Sequence, residues 1–171
     1  YSVSEYGDWE YHSKNGGLNQ DNLPNDLRAE LSSRQARGFG EKRLLNQAYN
    51  LQESHNDNLH TVAYSDSYWV MYDYNRGYHP DIEYSGIMDI FRLPKFGYYF
   101  YQSQRDVSDG KVLEIATWWT KKSPLDVKVF GNVDEVKLFL NDKLIATQKP
   151  DTGKNTDKLK HPPFTFKIPT F

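Results

Sequence analysis

Ser4-Glu5-Tyr6-Gly7-Asp8-Trp9 closes a strand-like alternation that begins at Tyr1. In an α/β barrel, a carboxylate at the C-terminal end of a strand points into the mouth of the barrel, where such folds place their chemistry. The glycine after Tyr6 lets the chain turn away and leaves Glu5 presented. From the residues alone, a surface carboxylate near a strand end is the competing reading, and Asp8 and Glu10 are similar cases.

Working outward, Ser13 to Asn25 contains Gly16-Gly17, four Asn and Pro24, which is loop chemistry. Gly40 precedes a helix starting near Glu41, with Leu44, Leu45, Ala48 and Leu51 at spacings of three and four. That helix is expected to fade before Asn56-Asp57-Asn58. A second strand is predicted over Ser67 to Asp73, ending in the loop Asn75-Arg76-Gly77. Pro94 stands where a first helical turn would begin, and Phe96 to Gln104 is predicted to be the closing helix. Strand, long loop, helix, strand, loop, helix is the rhythm of an α/β barrel.

From about residue 107 the grammar changes to strands and turns. Val112 to Thr120, Leu125 to Phe130 and Glu135 to Leu140 read as strands. In the last, Val136, Leu138 and Leu140 alternate with Lys137, Phe139 and Asn141. Asn141-Asp142 supplies a compact hairpin turn before Lys143 to Thr147. Pro162-Pro163 precedes a final strand, Phe164 to Ile168. Short antiparallel strands at this spacing suggest an immunoglobulin-like sandwich. Only about five strands are visible against the ~7 of a complete domain, so a truncated sandwich is expected.

The 171 residues suffice for one or two domains. A formal charge of −2 and no basic stripe argue against a nucleic-acid partner. Lys121-Lys122 and Lys154 to Lys160 read as solvated loops. Without cysteine there is no disulfide framework or thiolate chemistry. No apolar run approaches the ~20 residues needed to cross a bilayer. The chain opens without an initiator Met, so it reads as the middle of a larger protein, with any targeting segment upstream. Aromatics are abundant: 13 Tyr, 9 Phe and 4 Trp. Their apolar faces and polar tips suit sugar stacking as well as ordinary cores.

A second candidate constellation is Tyr68-Trp69-Val70-Met71-Tyr72-Asp73-Tyr74-Asn75-Arg76-Gly77-Tyr78. Trp69 lies near a strand end, where its face could floor a sugar subsite; as a core aromatic it would do neither. The run around Glu5 resembles the segment of glycoside hydrolase family two that ends barrel strand seven and carries the nucleophile. The run from Trp69 to Gly77 resembles the family's strand-eight segment, where a Trp lines the sugar pocket. Ser85-Gly86-Ile87-Met88-Asp89, Arg92-Leu93-Pro94-Lys95 and Tyr98 to Gln104 are similar to its closing helix region. Asn132 to Asn141 and His161-Pro162-Pro163-Phe164 look like its C-terminal sandwich domains.

The resemblance implies a fold of α/β plus all-β class. Residues 1–106 would be the C-terminal part of a (β/α)8 TIM barrel, holding strands seven and eight, and residues 107–171 an immunoglobulin-like β-sandwich. It implies a retaining β-galactosidase-like hydrolase acting on oligo- or polysaccharides with terminal β-linked galactose. Glu5 matches the nucleophile and Trp69 the pocket Trp. Asp73, Asn75 and Arg76 are implied substrate contacts, and Tyr6 and Trp9 pocket neighbours. His12 reads as a loop residue. No cofactor or metal site is expected, since the Asp, Asn and His spacings follow no ligand motif. A periplasmic or extracellular bacterial location is expected in preference to a cytoplasmic one.

Retaining hydrolysis needs two carboxyls about 5 to 5.5 Å apart. The family places the acid/base in an Asn-Glu pair, and no such dipeptide occurs here. Asp81 and Glu83 match no acid/base motif, and Glu30, Glu41 and Glu53 read as solvated helical faces. The acid/base is therefore expected upstream, and the chain alone is expected to be inactive. Two of eight strands cannot close a barrel, and open strand edges invite association. The isolated chain is therefore expected either to be poorly stable in its barrel part or to exist as an aggregate or swapped homo-oligomer. The alternative is a non-catalytic module, either bracing the barrel or binding sugar through Trp118 or Trp119. These two are adjacent in a predicted strand, so they are expected to point to opposite faces, one buried and one exposed, leaving at most a single sugar platform.

Overall fold

Strand β1, Ser2–Tyr6, runs parallel to β2, Ser65–Tyr68, with Ser2 opposite Ser65, Val3 opposite Asp66 and Tyr6 opposite Tyr68. The structure is a computed structural model that describes residues 1–6, 36–77 and 82–169. Expectations for Gly7 to Asn25, including Asp8, Trp9, Glu10 and His12, fall outside the described residues. So do those for Glu30, Tyr78 and Asp81.

Parallel neighbours need a long crossover, and helix α1, Glu41–Leu59, lies within it. Gly40, with φ of 101°, takes a backbone conformation closed to other residues immediately before the helix. Glu41 in the first turn suits the positive end of the helix dipole. Leu44, Ala48 and Leu51 are buried, as their spacing predicts. The helix runs through Asn56-Asp57-Asn58 rather than stopping before them. Asn56 is itself fully buried, and tertiary burial overrides the weak helix preference of such residues.

Strand β2 starts earlier and stops sooner than the predicted Ser67 to Asp73. Trp69 leaves it after donating its backbone N–H to Tyr6 O at 3.1 Å, and the Trp69–Val70 peptide is cis. The segment beyond finds different partners. Ile87 N–H donates to Val70 O at 3.0 Å, Met88 N–H to Met71 O at 2.9 Å, and Asp73 N–H to Met88 O at 2.9 Å. Two short strands follow, β3 (Tyr74–Asn75) antiparallel to β4 (Ile82–Glu83). Helix α2 covers Phe96–Ser103.

The chain divides into two compact units, Tyr1–Tyr98 and Tyr99–Phe171. In the second, β5 (Leu113–Ala116), β6 (Asp126–Gly131) and β9 (Phe164–Lys167) form an antiparallel sheet in the order β5-β6-β9. Strands β7 (Val136–Leu140) and β8 (Lys143–Gln148) form a hairpin. Its turn holds Asn141 and Asp142 at φ of 47° and 62°, the left-handed pair that matches strand twist in a two-residue hairpin. Val127, Val129, Phe164, Phe166, Val136, Leu138 and Ile168 make one buried cluster.

Strand β5 ends at Ala116, well short of the predicted Thr120. The Thr117 hydroxyl accepts the Trp119 N–H at 3.0 Å, and Trp119 has a φ of 56°. A local side-chain turn thus replaces the ladder. Trp118 and Trp119 are consequently not on opposite faces of a strand. They are 42% and 40% exposed, and the expectation that one of them is core is corrected.

Candidate functional site

Glu5 occupies the exposed C-terminal end of β1. Tyr6, the next residue, is half-buried and meets the Tyr68 ring edge-on at 5.9 Å between centroids. Its carbonyl receives the Trp69 N–H. Glu5 and Trp69 therefore leave the same ends of two neighbouring parallel strands, tied together by one backbone hydrogen bond.

Trp69 is 38% exposed. Its indole Nε1–H donates to the Tyr74 hydroxyl at 3.3 Å, and the two rings meet edge-on at 6.1 Å. The side chain thus has one wall fixed by protein and part of its surface open to solvent. Asn75 is exposed, with Oδ1 accepting the Gly77 N–H at 2.9 Å. Gly77, at φ of 76°, completes that small turn.

Asp73 and Arg76 point inward. The Asp73 carboxylate accepts from buried Lys95 Nζ at 2.7 Å. Burial pushes its pKa up to about 6, against the pull of the Lys95 ammonium and the Gly86 N–H. Burial also lowers the pKa of Lys95, with the Asp73 charge opposing. Desolvation outweighs attraction on both partners, as is common for buried pairs. Arg76 forms an ion pair with Glu83, which is fully buried. Glu83 Oε1 also accepts the Ser85 N–H at 2.9 Å. Glu83 is thus held inside the unit by a guanidinium and a backbone N–H.

Three further residues shape this end of the unit. Gln47 of α1 donates from Nε2 to the carbonyls of Ser85 at 3.1 Å and Gly86 at 3.0 Å. The Tyr68 hydroxyl also donates to Ser85 O. Gly86 lies against the backbone of Tyr72 and Asp73 so closely that a Cβ has no room. Arg37 donates to Asp89 at 3.2 Å and to Pro94 O at 2.7 Å. Burial would raise the Asp89 pKa, but the Leu93 and Phe91 N–H groups and Arg37 hold it below its ordinary value. Tyr74, Gly86 and Lys95 stand in the quoted runs, but the sequence assigns none of them a role, and Gln47 is passed over. Gln47 alone carried a signal, since it lies on the same helical stripe as Leu44 and Leu51. Among the described residues, no group of three His, Asp or Glu side chains is placed to hold a metal ion.

Comparison with known proteins bears on this geometry. A family model described as a domain of unknown function, DUF4982, matches residues 122–169. The β-galactosidase of Thermoanaerobacter pseudethanolicus is 38% identical over 109 residues, which are 58% of this chain and 14% of that protein. A putative β-glucuronidase of Formosa agariphila is 36% identical over 75 residues, 41% of this chain and 7% of its own. Among solved structures, β-glucuronidase 2 of Bacteroides uniformis superposes with a TM-score of 0.63 at 23% identity. That match covers 98% of this chain and 18% of the other.

A β-glucuronidase from glycoside hydrolase family two shares the fold, with a TM-score of 0.55 at 19% identity over 99% of this chain and 17% of its own.

The likeness to the solved structures is one of fold, and it runs along nearly the whole of this chain. The chain spans only about a seventh of the length of the T. pseudethanolicus relative. The β-galactosidase and β-glucuronidase relatives are both glycosidases, and they differ in the sugar that their names specify.

Proposed function

We propose that this chain is part of a retaining, exo-acting β-galactosidase, in which Glu5 is the nucleophile toward a terminal β-linked galactose. The observation that carries the reading is the placement of Glu5 and Trp69 at the same ends of adjacent parallel strands. In the proposed architecture, residues 1–106 are the strand-seven and strand-eight part of a TIM barrel, and residues 107–171 begin an immunoglobulin-like sandwich. The 38% identity to a β-galactosidase favours galactose as the sugar.

In this mechanism the Glu5 carboxylate attacks the anomeric carbon as the bond to the leaving oxygen breaks. The product is a glycosyl ester on Glu5, with the aglycone oxygen protonated by a second carboxyl. Water, activated by that same second group, then opens the ester. The acid/base belongs to another part of the longer protein, since Glu83 is buried against Arg76 and no Asn-Glu pair occurs in the sequence. The Trp69 face floors the sugar site, with Tyr6 and Asn75 near it, and Trp9 is carried as a further candidate pocket residue from the sequence resemblance alone. Asp73 and Arg76 hold the substrate loop from within.

Incubation of full-length protein with 2-deoxy-2-fluoro-galactosyl fluoride, followed by peptide mass spectrometry, tests the assignment. Label on Glu5 in the full-length protein, and none on the isolated chain, is expected. Label on a different residue, or none in an active full-length enzyme, would remove Glu5 from the mechanism. Turnover of p-nitrophenyl β-glucuronide in preference to the β-galactoside would transfer the sugar assignment to a uronic acid.

A second reading, sugar binding without catalysis, draws on Trp118 and Trp119, both exposed on a turn after β5. Sugar affinity abolished by their replacement, together with an unlabelled Glu5, is the outcome it requires.

A further inference from the structure

Lys95 has no role in the mechanism above, yet its side chain is fully buried. Its ammonium donates to Asp73 Oδ1 at 2.7 Å and to Tyr84 O at 2.9 Å. Its backbone N–H donates to Ile87 O at 2.9 Å. Lys95 therefore ties its own segment to two others, the one at Asp73 and the one from Tyr84 to Ile87. Burying a lysine and an aspartate costs more than packing two apolar side chains in the same volume, so the pair calls for a geometric reason.

That reason lies one residue further along. Tyr74 follows Asp73, and its hydroxyl accepts the Trp69 indole N–H. The Tyr74 ring stands edge-on against the indole, and its backbone pairs with Glu83 across β3 and β4. A shift of Asp73 would carry Tyr74 with it and release the edge of Trp69. Only a long, flexible cation with several donors reaches both Asp73 and the Tyr84 carbonyl from position 95.

We propose that Lys95 is a positioning residue for Trp69, acting through Asp73 and Tyr74 to hold the indole face at the angle that receives the sugar ring. This rests on the reading of Trp69 as the floor of the sugar site.

The test uses full-length protein labelled with 5-fluorotryptophan. The fluorine resonance of position 69 is identified by its loss in Trp69→Phe. The variants are Tyr74→Phe, Lys95→Met and the pair Asp73→Asn/Lys95→Met. The pair leaves no lone buried charge, and it carries the test where Lys95→Met alone does not fold. Each variant is expected to shift the Trp69 resonance. Each should also raise KM for p-nitrophenyl β-galactoside about tenfold while kcat changes less than about threefold, the mark of lost binding rather than lost chemistry. In a Trp69→Ala background the same changes should add almost nothing, because they act through that ring.

An unmoved Trp69 resonance with unchanged KM in the folded paired variant overturns the proposal. So does a fall in kcat alone, or a KM effect that adds in full to that of Trp69→Ala; either makes the pair a brace and nothing more. An unlabelled Glu5 in the fluorosugar experiment sinks the glycosidase reading instead, and the fluorine resonance then decides the positioning role by itself.

Discussion

At Gly86 a Cβ would lie 2.2 Å from the Asp73 nitrogen, 2.3 Å from the Tyr72 carbonyl carbon and 2.6 Å from Met88 O. All three are backbone atoms, two of them in the segment that follows Trp69 and one at Met88, so none can swing aside. Gly86→Ala should therefore cost about 3 kcal/mol, the upper end of overpacking penalties, read as a lowered denaturation midpoint. A variant as stable as the parent would show that the two backbones separate freely. Asp73 has a pH signature of its own. Its folded pKa of about 6 lies above its ordinary 3.8, so the folded state holds that proton more tightly. The stability this contributes is present below about pH 4 and is lost as pH rises through about 6. The melting temperature of the parent minus that of Asp73→Asn should fall between those limits. A flat difference would mean that the carboxyl is not desolvated as its surroundings imply.

Helix α1 shows how an element can be legible in outline and opaque in detail. Leu44, Ala48 and Leu51 are at helical spacing and are buried, as periodicity alone predicts. Gln47, Asn50, Gln52 and Asn56 are buried with them, and the period says nothing of what they bond. For Gln47 the partners are the Ser85 and Gly86 carbonyls, nearly forty residues away. Gln47→Leu keeps the volume and removes the amide donor; Tyr68 still serves the Ser85 carbonyl, so the cost, about 2 kcal/mol, falls on the Gly86 carbonyl. Amide exchange at Ile87 and Met88 should then quicken; unchanged protection there would argue that other donors replace Gln47. Strand β7 and its turn were the easier case. Alternation placed Val136 and Leu138 inward and Lys137 outward, and Asn141-Asp142 tolerates the left-handed backbone that a tight hairpin demands. Strands β2 and β5 were harder. Each ends early because a competing hydrogen bond captures the chain, Met88 and its neighbours in one case and the Thr117 hydroxyl in the other.

At the scale of the molecule, each unit carries its own buried groups. In Tyr99–Phe171 the core joins the sheet to the hairpin through Val127, Val129, Phe164 and Phe166 on one side and Val136 and Leu138 on the other. Phe166→Ala should destabilise that unit by about 3 to 5 kcal/mol, the usual cost of emptying a fully buried aromatic site. Loss of amide protection along β6 and β7 would report it, and protection retained in both would show that the cluster does not hold the sheet and hairpin together.

The sequence by itself outlined α1, α2 and the β7–β8 hairpin, because periods of 2 and 3.6 and the demands of a tight turn are local properties. It overran β2 and β5 and did not show β3 and β4. It also marked Glu5 and Trp69, since each falls near the end of a strand-like run. Tertiary structure decided which polar side chains are committed inside. Lys95 is no more than the end of the Arg92-Leu93-Pro94-Lys95 run until Asp73, twenty-two residues earlier, is brought to 2.7 Å. Arg76 reads as a loop cation until Glu83 closes on it. Trp118 and Trp119 read as strand partners until Thr117 turns the chain. In each case the deciding contact is an energy between groups that meet only once the chain has folded, and no local pattern records it.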